Sequence, residues 1–320
     1  MKARIWIALI TVYIVWGSTY LAIRFAVETM PPFLMASTRF LIAGAILYAW
    51  RRASGDPAPS RIEWRSAALV GIFLLVGGNG SVVWAEQRVP SGIAALMVGS
   101  APLWMVLIDA FSPFAALRTS AARRAVNAKP AWQTYLGVAL GFSGIVVLIG
   151  PSILSGSNQE MDLIGIAALV LAAFLWATGS LYSREAQLPA SPLLGTGMEM
   201  LVGGAGLLIL GTFSGEWGRL NLSAVSSASL LGLGYLIVFG SLVGYAAYTW
   251  LLRSAPTPLV STYAYVNPLI AIFIGNLLAS EPLTAHILIS TAIILGAVAL
   301  INTPRKQRVV QAVQGSPGND

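Results

Sequence analysis

Apolar runs long enough to cross a bilayer recur from one end of this 320-residue chain to the other. A hydrocarbon core takes roughly 20 apolar residues in a helix, because every backbone polar group must be satisfied within the segment. A chain that repeats such runs is confined to an all-α membrane fold. The composition agrees: 57% of residues are hydrophobic, 10% are charged and the mean hydropathy is +0.77. A net charge of +7 would suggest nucleic acid in a soluble protein. Here the basic residues sit in short links between apolar runs, where they set topology, so no nucleic-acid partner is expected. There is no Cys and one His, which excludes disulfides, thiol chemistry and Cys metal sites. The first run lacks a small-residue cleavage site and reads as a retained helix, not a signal peptide.

Ten transmembrane helices are expected, at 5–27, 33–50, 66–87, 91–112, 132–150, 162–182, 192–214, 227–252, 258–279 and 284–303. Met30-Pro31-Pro32, the Gly and Pro residues of 54–59, Pro90-Ser91-Gly92 and Ala255-Pro256-Thr257-Pro258 punctuate them. With the N-terminus inside, 15 of the 19 Lys and Arg residues fall on inner segments, the exceptions being Arg24, Arg39, Arg88 and Arg219. Both termini are therefore expected in the cytoplasm. The polar residues 305–320 read as a disordered cytoplasmic tail.

The chain also repeats itself. Residues 175–204 copy 15–44 at an offset of 160, without a gap. Trp16 falls on Trp176, Arg24 on Arg184, Pro32 on Pro192 and Gly44 on Gly204, within 8 identities in 30. Two units follow, 1–150 and 151–304, of five helices each. Five is odd, so the second unit must lie upside down relative to the first. Inverted repeats of this kind are a carrier architecture, with the pathway between the halves. A second echo is proline spacing: Pro90 and Pro102 are 12 apart, as are Pro256 and Pro268. Pro102 and Pro268 lie about 17 Å into their helices, near the midplane. Each frees the carbonyl four residues back, at Val98 and Ala264, and marks a helix kink.

These residues resemble the drug/metabolite transporter superfamily, in particular the bacterial EamA-domain exporters with ten helices in two repeats. The resemblance is carried by W-G-S-T-Y-L-A-I-R-F from Trp16, R-F-L-I-A-G from Arg39 and A-E-Q-R-V-P-S-G-I-A-A-L from Ala85. It continues in W-Q-T-Y-L-G-V-A-L-G-F-S-G-I-V-V-L from Trp132, Y-V-N-P-L-I-A from Tyr265, E-P-L-T from Glu281 and L-G-A-V-A-L from Leu295. It covers nearly the whole chain and implies inner-membrane efflux of small metabolites such as amino acids, related compounds or drugs. The chain departs from the pattern in one link. A basic segment, 114–130, with Arg123 and Arg124, replaces the acidic G-E type connection between helices 4 and 5.

Charges within the membrane are costly and are functional candidates by default. Arg39 and Glu199 occupy equivalent repeat positions at different depths, so Arg39 is expected to snorkel outward or to reach Glu86. Glu86 and Glu199 are the candidates for proton coupling. Arg24 and Arg184 read as anchors near helix ends, and Asp109 as interfacial. The substrate-binding set is Trp16, Tyr20, Arg39, Asn79, Trp84, Trp176, Tyr245, Tyr248, Tyr263 and Asn267. Aromatic faces hold apolar or cationic groups, and amides at depth need partners or a wet cavity. Tyr265 belongs to the same aromatic group. Gly137, Gly141 and Gly144, and Gly240 with Gly244, read as close helix contacts within a monomer, with a homodimer as the alternative.

Other chemistry has no signature. The sequence holds no P-loop, H-E-x-x-H or Ser-His-Asp pattern, and no metal cluster. His286 reads as interfacial. No enzyme activity, metal or cofactor is expected. The partners expected are a small-molecule substrate, the bilayer and, as a candidate, protons. The reading is an exporter of amino acids or analogues working by alternating access. Its alternatives are a passive facilitator, an uptake carrier and a non-transporting scaffold.

Overall fold

The computed structural model describes residues 2–111, 132–155, 162–255, 257–260 and 262–302. The basic segment 114–130, the tail 305–320, Pro256 and the side chain of Asp109 lie outside the described residues. Among the described residues all regular structure is helical. We number the longer helices α1 (Lys2–Thr29), α2 (Pro32–Ala53), α3 (Arg61–Ala85), α4 (Ser91–Gly99 and Ala101–Phe111), α5 (Trp132–Ser155), α6 (Leu163–Glu185), α7 (Pro192–Phe213), α8 (Ser227–Ser254), α9 (Tyr263–Ala279) and α10 (Ala285–Asn302). α1 to α4 and α6 to α8 contain stretches long and apolar enough to cross a membrane, whereas α5, α9 and α10 carry shorter apolar stretches of 10–17 residues. Their exposed faces hold large apolar side chains such as Ile7, Leu231, Phe273 and Ile289, as a lipid-facing surface requires.

Several ends follow local rules. α2 and α7 both begin with Pro at the first turn, where a missing N–H costs nothing. α3 starts five residues earlier than expected because Ser60 and Glu63 form a capping box. Two mid-helix stretches were not foreseen. α3 is π-helical at Ile72–Asn79 and α8 at Leu236–Val243, each 8 residues long and each followed by Gly. A π-turn frees and redirects groups inside a helix and is frequent at functional sites.

α2 and α7 form the most extensive helix pair. A Cβ on Gly44 would lie 2.9 Å from the Leu201 nitrogen, one on Gly204 3.0 Å from the Leu41 nitrogen, and one on Gly197 2.9 Å from the Tyr48 nitrogen. Partner numbers fall along one helix as they rise along the other, so the two helices run antiparallel. Gly44 and Gly204 are repeat equivalents, as are Leu41 and Leu201. The contact is thus reciprocal, as across a two-fold axis. α4 and α9 also cross closely: Cβ positions on Gly92 and Gly99 would meet Ile272 and Pro268 at 2.9 Å. α5 packs on α10, where Gly144 faces Ile293 and Ile294.

Candidate functional site

Two connected cavities lie between these helices. The inner one, of about 120 Å³, is lined by Trp16, Tyr20, Arg39, Asn79, Trp176, Tyr245, Tyr263 and Asn267, together with Pro102 and Pro268. Val98 and Ala264, whose carbonyls the two prolines free, line it too. The outer chamber, of about 450 Å³, shares Trp16, Trp176, Tyr245 and Tyr263 and adds Tyr248 and Glu199. It runs to a rim at Ser183, Arg184, Leu188 and Pro192, where Arg184 is exposed.

Trp16 is the centre of the aromatic wall. Its ring centroid lies 5.3 Å from Tyr245, 5.0 Å from Tyr248 and 5.3 Å from Tyr263, mostly edge-on. Its indole N–H donates to the Gly240 carbonyl at 3.2 Å. Gly244 packs directly beneath the indole nitrogen. Gly240 lies under Arg39, where a Cβ would come within 3.1 Å of Nη2. The Gly240–Gly244 pair, read from sequence as a helix-packing face, instead makes room for two side chains of the site.

Arg39 does not snorkel. Its residue is 4% exposed, its Nε donates to the Ser241 hydroxyl at 2.9 Å, and its carbon Cζ stands 4.7 Å from the Phe40 ring centroid. Its Nη1 is buried with no hydrogen-bond partner, as are the amide oxygens of Asn79 and Asn267. No ion pair joins Arg39 to Glu86 among the described residues. Glu86 is 3% exposed and lines neither cavity, although Arg24, Arg39 and Glu281 are its charged neighbours. Trp84 also lies outside both cavities. It packs on the main hydrophobic core with the Arg88 guanidinium 4.6 Å over its ring. Tyr265 is turned away, its hydroxyl donating to the Val298 carbonyl. His286 accepts or donates locally with Thr284.

Two carboxylates that sequence reasoning did not single out fasten helix N-termini across the two halves. Ile23, Val82 and Ala95 also line the inner cavity. Next to them, Arg24 is not a lipid anchor but pairs with Glu281 at 2.8 Å. The same Glu281 carboxylate, 5% exposed, accepts the backbone N–H groups of Ser91 and Gly92 at 2.8 and 3.0 Å. Fully buried Glu216 does the same for α2, accepting from Phe33 and Leu34. A carboxylate at a helix N-terminus satisfies orphan donors and meets the positive end of the dipole. Glu281 was legible as part of E-P-L-T; its partners, 190 and 257 residues away in sequence, were not.

The EamA-like transporter family pattern matches residues 3–150 and 163–303. The chain is 37% identical over 314 residues to a protein of Escherichia coli (strain K12) named uncharacterized inner membrane transporter YedA, covering 96% of this chain and 95% of that one. It is 24% identical to the uncharacterized transporter YvbV of Bacillus subtilis (strain 168), over 98% and 96% of the two chains. A crystal structure with 20% identity aligns at a TM-score of 0.57 over 94% of this chain and 98% of that one, which speaks for the fold alone. With a cavity built from both sequence repeats and a match that spans almost every described helix, the chain belongs to the EamA-like transporter family and is a multi-pass inner-membrane transporter.

Proposed function

We propose that the protein is a secondary carrier that exports small metabolites, amino acids or their analogues, by alternating access between two inverted five-helix halves. One observation carries this reading. The cavity takes Trp16, Tyr20, Arg39 and Asn79 from the first half and Trp176, Tyr245, Tyr263 and Asn267 from the second. The antiparallel contact of the repeat-equivalent α2 and α7 supports the inversion. By the distribution of Lys and Arg, the Ser183–Pro192 rim faces the cytoplasm and the Arg24–Glu281 pair faces outward. The described state is then open inward and shut outward, ready to load a cytoplasmic solute.

The test is efflux from proteoliposomes loaded with labelled amino acids, nucleobases and quaternary ammonium compounds, with and without a proton gradient. Efflux of one class above protein-free vesicles is the expected result. Stimulation by the gradient would make the carrier an antiporter and direct attention to Glu86 and Glu199. Efflux indifferent to the gradient would make it a facilitator. No efflux of any class would overturn the transport reading of this cavity.

A further inference from the structure

Arg39 is a buried cation that forms no ion pair among the described residues. It lines the inner cavity at 4% exposure, donates one hydrogen bond to the neutral Ser241 hydroxyl, and keeps Nη1 without a partner. Glu199, its repeat equivalent, lines the other chamber, and Glu86, a buried charged neighbour, forms no ion pair with it. A charge held in this way costs several kcal/mol unless a partner arrives. The protein nonetheless packs closely around it: a Cβ at Gly240 on α8 would stand 3.1 Å from Arg39 Nη2, tighter than an ordinary contact. The cavity that Arg39 lines is also walled by the indoles of Trp16 and Trp176, the rings of Tyr20, Tyr245 and Tyr263, and the apolar Ile23, Val82 and Met105.

We propose that the inner cavity binds small organic monocarboxylates with a compact apolar body, and that Arg39 is the residue that reads the carboxylate. This rests on the carrier reading above and narrows its substrate class. A guanidinium offers a fork of donors that matches a carboxylate, and the aromatic wall takes the apolar part. Arg39 is the one Lys or Arg among the described residues lining the inner cavity. One cation balances one negative charge, so a phosphate ester with a second charge is disfavoured. Cations are repelled by Arg39, whatever the attraction of the rings. The unpartnered oxygens of Asn79 and Asn267 accept hydrogen bonds from a neighbouring ammonium, so an amine is tolerated but is not the group selected.

The test uses a matched set with one apolar body: leucine, 4-methylpentanoate, leucinamide and isoamylamine. Binding to the purified full chain is read as ligand-induced thermal stabilisation in detergent. Leucine and 4-methylpentanoate should bind on the order of tenfold to hundredfold more tightly than the amide and the amine. Arg39→Gln should collapse that ratio, and Arg39→Lys should keep part of it. A residue that merely braces α2 against α8 would weaken all four ligands alike and leave the ratio standing. Gly44→Ala, which disturbs the packing of α2 on α7 at a position that lines neither cavity, serves as the bracing control and should preserve the preference. Equal or tighter binding of the amide or amine overturns the carboxylate assignment while the carrier reading stands. Binding of none of the four overturns it as well. Carboxylate binding without any vesicle efflux would instead sink the carrier reading and spare the site.

Discussion

Arg24 near the end of α1 and Glu281 in the link between α9 and α10 meet at 2.8 Å, and their pairing ties three elements together. The same carboxylate caps α4 through Ser91 and Gly92, so one side chain from the second repeat fastens two helices of the first. On the carrier reading proposed above, this pair is the outward closure, held by charge-assisted hydrogen bonds that can be made and broken.

Removing the charge should loosen that closure. Hydrogen bonds to charged groups contribute about 1.5–3 kcal/mol, less here because Arg24 is 38% exposed and screened. Glu281→Gln should therefore shift the outward-open population by roughly tenfold. The chain contains no cysteine, so a single Thr19→Cys reporter in the cavity wall has no background. Its labelling by an impermeant maleimide from the outer side of vesicles should speed up in Glu281→Gln and, less, in Arg24→Gln. Unchanged labelling in both variants would remove the pair from the closure.

The α2–α7 contact makes a prediction about folding, not transport. A methyl on Gly44 would lie 2.9 Å from the Gly197 carbonyl and from the Leu201 nitrogen, and neither can move without its helix. Gly44→Ala should destabilise the protein by about 1–3 kcal/mol. Gly296 on α10 has nothing within 4 Å of its would-be Cβ. There Gly296→Ala should be neutral or stabilising, by up to about 1 kcal/mol. Melting of the two variants in the same detergent checks the contrast, and equal losses would refute the backbone contact.

Much of this was legible from residues alone. The offset of 160 that aligned Gly44 with Gly204 named the two glycines that now meet each other's helix. Depth counting brought Trp16, Trp176, Tyr263 and the two prolines to one cavity, because distance along a straight helix is fixed. Rotation about the helix is a different matter. Trp84 was grouped with Trp16 on residue type and span, yet it faces the core beneath Arg88. The π-helical stretches at 72–79 and 236–243 shift the facing of everything beyond them and carry no signal in composition. The roles of Glu216 and Glu281 depend on helix ends brought together from opposite halves of the chain, which no local pattern reveals.

Two tryptophans test the site directly. Trp16→Ala removes the ring that Tyr245, Tyr248 and Tyr263 surround, so substrate KM should rise on the order of tenfold, a loss of about 1–1.5 kcal/mol. Trp84→Ala should leave KM unchanged and lower thermal stability by about 1–3 kcal/mol, short of a fully buried Trp because Trp84 is only partly buried. The measurement is transport kinetics beside thermal melting for both variants. A reversed pattern would mean that the cavity is not the substrate path.

The link into α6 predicts a pH dependence. Asp162 caps this helix, accepting the Gly165 N–H at 2.8 Å, and its second oxygen meets Arg88 at 3.2 Å beyond the end of α3. The Gly165 N–H first, and Arg88 after it, hold the Asp162 carboxyl below its ordinary 3.8. A carboxyl depressed in the folded state stabilises the fold above its unfolded pKa, and that contribution is lost as pH falls through the lower folded value. Near neutral pH the whole contribution is present, so Asp162→Ala should cost about 0.5–1 kcal/mol there, mainly through the lost cap. Asp162→Asn keeps a capping oxygen and loses only the charge. The melting temperature of the native chain should exceed that of Asp162→Asn by a constant margin above about pH 5, and the margin should shrink below about pH 4. A margin that stays constant down to pH 3 would show that the charge on Asp162, and with it the pairing to Arg88, contributes nothing.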